Sequence, residues 1–161
     1  MPPSPSTHIS RDLALFAGLT RSELRRASAL FTLVHPPVGT GLGREGDIGR
    51  EFVVVLAGHV VASARGVPVA VLGPGDHFGA VPLLSLAGSR VRRTSFQMLE
   101  AGAVAVATRA EFVALCNDVP GLDRRVRAAA ERALSWEAPV RSWEDQRTLA
   151  PSPSSPRPHR R

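Results

Sequence analysis

The chain has 161 residues, the length of a single domain with some additional chain. Its 20 basic and 14 acidic side chains give a formal net charge of +6, and every basic side chain is an arginine. A GC-rich genome explains this lysine-free composition more simply than selection for nucleic-acid contact. The single cysteine, Cys116, excludes an internal disulfide, a CxxC redox pair and a cysteine-ligated metal cluster.

The two ends of the chain differ in composition from its middle. Residues 1–8 contain three prolines, and residues 138–161 are rich in proline and arginine, so neither segment can bury enough apolar surface to offset its ordering entropy. We expect a disordered lead at 1–8, a folded domain at 9–137 and a disordered tail at 138–161. With no apolar run of roughly 18 residues and no signal-peptide pattern, we expect a cytoplasmic protein without a membrane partner.

The first folded segment is predicted to be helical. Apolar residues in 11–31 recur at helical spacing. Thr20 and Glu23 have the spacing of a capping box, in which each side chain binds the other residue's backbone N–H. The second of two predicted helices should therefore begin next to Thr20.

The middle of the chain is predicted to be β-structure. Twelve of the 14 glycines lie between residues 39 and 102, and a glycine inside a helix costs about 1 kcal/mol relative to alanine. Short β-branched runs separate these glycines, and strands at such spacing indicate a β-sandwich or barrel. The predicted strands are Glu51–Ala57, His59–Ala64, Val67–Leu72 and Ala103–Ala107.

Two helices are predicted after the last strand. The first covers Arg109–Asn117, with Phe112, Val113 and Leu115 facing the core. The second covers Leu122–Glu137, and a proline just before it suits a first helical position. Its apolar stripe consists of Leu122, Val126, Ala129, Ala130, Ala133 and Leu134. The predicted fold is therefore mainly β with flanking helices.

No motif of a catalytic or metal site is present in the sequence. His35, His59 and His77 are dispersed without HxH or HExxH spacing, and we expect them at the surface or in loops. GxSxG and SxxK nucleophile motifs are absent, and Cys116 beside Leu115 is predicted to be a packed thiol. We expect neither enzymatic activity nor a bound metal.

One stretch of the predicted β region suggests an anion site. The glycine-rich turn Gly73–Gly79 (GPGDHFG) leads into the short apolar helix Ala80–Leu86 (AVPLLSL), and Val91–Phe96 (VRRTSF) brings two arginines. Backbone N–H groups at such a turn, with an arginine opposite, suit a single phosphate.

The alternative is an ordinary loop with structural arginines. Arg92 and Arg93 would then face solvent or pair with acids such as Asp76 or Glu100. The residues of this stretch alone leave both interpretations open.

The whole pattern resembles the cyclic nucleotide-binding domain family, which includes catabolite activator proteins and kinase regulatory subunits. The resemblance spans residues 13–135 and implies a β-barrel or jelly roll. It rests on Leu15–Leu24 (LFAGLTRSEL), Arg44–Asp47 (REGD), Phe52–Gly58 (FVVVLAG), Val71–Gly79 (VLGPGDHFG) and Thr108–Phe112 (TRAEF).

The resemblance also implies a ligand site, which we call the cassette: residues 78–84 together with 92–96. Arg92 falls on the family's phosphate-binding arginine; sliding the register by one would place Arg93 there, with a poorer fit of the residues that follow. The expected ligand-binding residues are Phe78, Gly79, Ala80, Val81, Leu83, Arg92, Arg93 and Thr94.

Two cassette positions depart from the family pattern. Ala80 stands where the family has the acid that binds the ribose hydroxyl, and Pro82 stands where a backbone N–H commonly meets the phosphate. Because a hydrogen bond to a charged group is worth about 1.5–3 kcal/mol, binding of cAMP or cGMP should be weakened or lost. Proline also suits the first turn of a helix, so Pro82 has a purely structural interpretation as well.

Three functional hypotheses follow. The first is a stand-alone, non-enzymatic regulatory or sensor module that binds a cyclic nucleotide weakly, binds another small anion, or acts through a protein partner. The second is a dimerising regulator of the catabolite-activator type that acts on transcription or on a partner protein without its own DNA-binding domain. Only 24 proline-rich residues follow Glu137, so specific DNA binding is not expected. The third is a homodimer formed through residues 122–137, whose alanines permit close approach. The alternative for that helix is that its stripe packs on the barrel.

Overall fold

The computed structural model describes residues 8–136. Before the first strand it contains a 3₁₀ helix, Ala14–Phe16, and helix α1, Arg21–Ala29. The strands are β1 Thr32–Val34, β2 Gly41–Gly43, β3 Glu51–Ala57, β4 Val60–Ala64, β5 Val67–Leu72, β6 His77–Phe78, β7 Ser95–Met98 and β8 Ala103–Thr108. The remaining helices are α2 Ala80–Leu83, α3 Arg109–Asp118 and α4 Pro120–Ala133. Apart from His8, the predicted disordered lead and tail lie outside the described residues.

The strands form two four-stranded antiparallel sheets. Sheet A has the order β1-β8-β3-β6, and sheet B has the order β2-β7-β4-β5. The helices flank this sandwich, which confirms the predicted mainly β architecture of jelly-roll type.

The alternation of side chains along β3 divides the core in two. Phe52, Val54 and Leu56 belong to a cluster on the helix side of sheet A, while Val53 and Val55 pack between the two sheets. We call these the helix-side core and the inter-sheet core. The Phe52 ring lies 4.9 Å from that of Phe112 in α3, so the longest buried strand anchors both cores.

The predicted helix beginnings are confirmed. Thr20 Oγ1 accepts a hydrogen bond from the Glu23 N–H, and the Glu23 carboxylate accepts one from the Thr20 N–H. The same reciprocal pair opens α3 at Thr108 and Glu111. Pro120 occupies the first turn of α4, as predicted.

Some sequence-based boundaries were wrong. Residues 11–31 contain a 3₁₀ turn and one α-helix instead of two α-helices, and α4 ends at Ala133. Val113 is 49% exposed because Phe112 and Leu115 already occupy the core-facing side of α3, and Val113 is turned about 100° from Phe112. The strands without a prediction, such as β1 and β6, have only two to four residues, too few to show a period.

Candidate functional site

The first half of the cassette is held by a tight turn between β6 and α2. Gly79 has a φ of 101°, and a Cβ there would lie 2.2 Å from the carbonyl oxygen of Glu51. Only glycine fits such a close approach in this conformation. The residues that follow, Ala80–Leu83, are all buried. Leu83 packs in the helix-side core, away from the second half of the cassette.

Arg92 is buried in the second half of the cassette, with only 6% of its surface exposed. Its backbone N–H donates to Asp47 O at 2.7 Å, and its carbonyl accepts from Gly46 N at 2.8 Å. The guanidinium lies against Gly43, 6.0 Å from the Phe96 ring centre, and Nη2 is 3.5 Å from the Glu51 carbonyl oxygen. The alternative in which Arg92 faces solvent is therefore excluded.

Arg93 has a different role from its neighbour. Its Nη2 donates to the Ala87 carbonyl at 3.1 Å, so it ties down the loop between α2 and β7. The acids considered as partners for the two arginines have other contacts: an Asp76 carboxylate oxygen accepts from Gly73 N, and Glu100 pairs with His59. Arg92 and Arg93 therefore differ in the backbone groups that their guanidinium groups contact.

Thr94 is also buried, with 1% of its surface exposed. Its Oγ1 has no hydrogen-bond partner among residues 8–136. A buried hydroxyl without a partner is unfavourable by about 1–3 kcal/mol. Thr94 and Arg92 line the same small cavity.

The space inside the cassette is very small. The cavity between α2 and the segment that precedes β7, which carries Arg92, measures about 10 Å³. It is lined by Val81, Pro82, Val91, Arg92, Arg93, Thr94 and Phe96. This is about the volume that one water molecule needs, whereas small-molecule pockets measure roughly 300–1,000 Å³. A nucleotide would enter only if the cassette opened.

Two packing contacts close the cassette. Pro82 lies directly against Gly49, where a Cβ would be only 2.5 Å from the proline Cγ. The rings of Phe78 and Phe96 stack with centres 3.9 Å apart and planes 12° from parallel. Side chains therefore fill the space beside Arg92.

The acid position of the cassette is filled as well. Ala80 is 3% exposed, and it borders a cavity of about 20 Å³ whose opposite wall is the alanine-rich side of α4. The wall residues on α4 are Ala129, Ala130 and Ala133. A longer acidic side chain at position 80 would have to displace this contact.

His77 corrects a sequence-based prediction. It begins β6, where its half-buried ring lies 5.2 Å from that of Phe52, so it belongs to a strand and is not an exposed loop residue. Burial lowers its pKa to about 4, and the nearby Asp76 carboxylate opposes this shift only in part. The side chain is therefore neutral at pH 7. His35 and His59 are exposed, as predicted.

Cys116 is a packed thiol, as predicted. It packs against the helix-side core, and burial, reinforced by a hydrogen bond with Asp123, raises its pKa to about 12.

Within residues 8–136 no three metal-ligating side chains come together. None of the helices in this part of the chain has the length and apolar character needed to cross a membrane.

Two larger cavities lie outside the cassette, and no local sequence pattern predicted either of them. One, of about 460 Å³, separates the 3₁₀ helix from α4, beside the point where Arg125 Nη1 donates to the carbonyls of Leu15 (3.1 Å) and Ala17. The other, of about 410 Å³, lies at the side of the sandwich between β1 and β2. Both are formed by residues far apart in sequence.

Comparison with known proteins places this geometry among related domains. The sequence profile of the cyclic nucleotide-binding domain matches residues 36–119. The chain is 31% identical over 116 residues to the Pycsar effector protein XpPycTIR of Xanthomonas perforans, which covers 71% of the chain and 38% of that protein. It is 31% identical over 134 residues to a cAMP-dependent protein kinase regulatory subunit of Blumeria graminis, which covers 80% of the chain and 32% of that protein.

The fold has close structural relatives. The catabolite activator protein of Thermus thermophilus superposes with a TM-score of 0.65 at 26% identity, over 84% of this chain and 61% of that one. The chain spans about a third of the length of the two curated relatives.

Proposed function

The chain belongs to the cyclic nucleotide-binding domain family, and we propose that it is a non-enzymatic regulatory module whose cassette no longer binds cyclic nucleotides tightly. Its relatives include a kinase regulatory subunit and an activator protein, in which this domain is one part of a longer chain. We infer that the output of the module depends on a protein partner.

The observation that carries the proposal is the closed cassette. Pro82 packs on Gly49 and supplies no N–H, so one donor for a phosphate is missing and the remaining cavity measures about 10 Å³. Opening this packing would consume part of the binding energy of a nucleotide. At position 80 the buried alanine offers no acceptor for a ribose hydroxyl.

The remaining polar groups suit a small anion. Arg92 supplies a buried positive charge, and Thr94 supplies a hydroxyl on the wall of the same cavity. Arg93, tied to Ala87, would contribute only its long-range charge. An anion of the size of phosphate needs far less opening of the cassette than a nucleotide does. We propose that the cassette recognises the phosphate group alone.

The hypothesis of a homodimer through residues 122–137 stays a prediction. Leu122, Val126 and Ala130 are buried against the helix-side core, so half of the predicted stripe is already used within one chain. Light scattering at two protein concentrations tests it. A mass that stays at one chain excludes this dimer, and with it the alternative of a dimeric regulator of the activator type.

Calorimetric titration of the full chain tests the proposed function. The four 3′,5′-cyclic ribonucleotides should bind with dissociation constants weaker than about 100 µM, equivalent to less than about 5.5 kcal/mol of binding free energy. Sub-micromolar binding of any of them would overturn the proposal.

Weak binding of inorganic phosphate should disappear in Arg92→Gln and persist in Arg109→Gln, which removes an exposed arginine at the start of α3.

A further inference from the structure

The cleft of about 410 Å³ between β1 and β2 is separate from the cassette. None of the eight expected ligand-binding residues lines it. The lining residues are Thr32, Val34, Gly41, Leu42, Glu51, Val53, Val104, Val106, Thr108 and Glu111. The inference drawn from it is independent of the proposed function.

The strand register explains why the floor of the cleft is apolar. Thr32 of β1, Val106 of β8 and Val53 of β3 stand opposite one another, so their side chains share one face of sheet A. Val34 and Val104 form the next row on the same face. Because Val53 and Val104 belong to the inter-sheet core, this floor is the inner face of sheet A at its β1 edge.

Sheet B covers Val53 and Val104 but leaves the β1 end of this floor open. Strand β2, at the edge of sheet B, is only three residues long and contains glycine at two of them, which leaves Leu42 as its single side chain. Leu42 packs into the inter-sheet core, while Val34 on the opposite side remains 41% exposed. The cleft therefore exposes Val34, an apolar side chain on a face of sheet A that is buried at Val53 and Val104.

Two free strand edges border the cleft. Among the described residues, β1 pairs only with β8, and β2 pairs only with β7. The outer edge of each strand thus presents unpaired backbone N–H and C=O groups, which can pair with an added strand. This main-chain pattern selects an extended peptide over a small molecule.

The charge of the cleft is negative. Glu51 and Glu111 line one end, no basic side chain lines the cleft, and neither glutamate forms an ion pair with a described residue. Glu111 Oε2 accepts the Thr108 N–H at 2.7 Å, which fixes its carboxylate at the mouth. A bound segment should therefore carry positive charge at that end.

We propose that this cleft is a docking site for an extended basic segment of a partner protein, which adds as a strand beside β1. Alternate apolar side chains of the segment would enter the cleft, and an arginine or lysine would meet Glu51 and Glu111. A second copy of this chain fits poorly, because no basic side chain lines the cleft and each copy's Glu51 and Glu111 would lack a positively charged partner there. The chain's own basic tail is interrupted by prolines, which lack the N–H that strand addition needs.

The test is an NMR titration of the isotope-labelled full chain with two synthetic nonapeptides, blocked at both ends. In each, valine alternates with threonine, and two arginines stand at the N-terminal end of one peptide and at the C-terminal end of the other. We expect one of them to bind with a dissociation constant of about 1 mM or tighter. The shifted backbone amides should be those of β1, β2 and Glu51, while those of Ala80–Leu83 stay in place.

Three controls separate the proposed contacts. The double variant Glu51→Gln/Glu111→Gln removes both charges but keeps the capping acceptor at 111, and it should weaken binding about fivefold. Val34→Thr should weaken binding about threefold, whereas Val38→Thr, outside the cleft, should leave it unchanged. N-methylation of alternate peptide nitrogens on the edge that faces β1 should weaken binding at least tenfold.

Four outcomes would overturn the proposal. Absence of binding by both peptides at several millimolar overturns the proposal, as does equal binding to the double glutamine variant. Cross-peaks between Val34 or Val106 and the chain's own residues after Trp136, without peptide, would assign the cleft to the tail. Concentration-dependent broadening confined to β1 would assign it to a second copy, and either result overturns the assignment to a partner protein.

Discussion

The two faces of β3 are packed differently. On the helix side, Phe52, Val54 and Leu56 are at most 1% exposed and contact large apolar side chains. On the inter-sheet side, Val53 and Val55 share their layer with the buried polar residues of the cassette and with the uncovered cleft. The two faces are equally buried, but the helix side is packed by apolar side chains, whereas the inter-sheet side also borders the cassette and the cleft.

The largest expected effect on the free energy of unfolding comes from a substitution in the helix-side core. Phe52→Ala should lower the free energy of unfolding by about 4 kcal/mol, because it removes a fully buried ring that packs against Phe112. Val55→Ala, on the other face of the same strand, should cost about 2 kcal/mol. Urea unfolding at pH 7 measures both values. Equal losses would show that the contact between Phe52 and Phe112 contributes little to stability.

The second effect concerns the cassette as a structural element. Gly79→Ala should cost about 3 kcal/mol, since its φ of 101° and its approach to the Glu51 carbonyl leave no room for a Cβ. Gly88→Ala is the matched control: its φ is 75°, but no atom lies within 4 Å of its added Cβ, so its cost should be about 1 kcal/mol. If Gly79→Ala costs no more than the control, the turn is not held by this contact.

The third effect is a dependence of the free energy of unfolding on pH. Since the folded-state pKa of His77 is about 4, below its ordinary value of 6.5, the unfolded chain takes up the proton first as pH falls. The contribution of neutral His77 to the free energy of unfolding is complete above pH 6.5 and is lost between about pH 6.5 and 4. It amounts to on the order of 2 kcal/mol.

Urea unfolding at pH 7.0 and 4.5 tests this dependence. His77→Gln should lose less stability than the natural chain between the two pH values, whereas His35→Gln, a change at an exposed position, should behave like the natural chain. An unchanged pH dependence in His77→Gln would show that the histidine does not titrate as its burial requires.

The smallest effect comes from the helix caps. Thr20→Ala should destabilise the chain by about 1 kcal/mol, because it removes the acceptor for the Glu23 N–H at the start of α1. Thr20→Ser keeps a hydroxyl and should retain most of that stability. A loss of the same size in both variants would mean that packing of the threonine methyl, and not the cap, is responsible.

Local patterns in the sequence were sufficient for the main elements. The β-branched runs predicted β3 and β5 at their observed bounds, and the spacing of Thr20 and Glu23 predicted the start of α1. The motif resemblance brought Arg92 and the residues of α2 together correctly, because it carried a spatial relation that no local pattern contains.

The rest of the site depends on contacts between distant residues. The packing of Pro82 on Gly49, the stacking of Phe78 on Phe96 and the burial of His77 against Phe52 join positions 18 to 33 residues apart. Residue type constrains such pairs only weakly. The cleft also arises from what β2 lacks, namely side chains at its glycines, and it becomes visible only once the strand register is known.

We propose that packing at Ala80 and Pro82, and not a loss of Arg92, weakens cyclic nucleotide binding by the cassette. The most direct measurement is calorimetric titration of cAMP into the natural chain and into Ala80→Glu/Pro82→Ala, with Pro82→Ala alone as the variant that avoids burying a carboxylate. We expect affinity to rise at least tenfold in the double variant, about 1.4 kcal/mol, and by a smaller factor in the single one. Unchanged affinity in both folded variants, or sub-micromolar binding by the natural chain, would contradict the account.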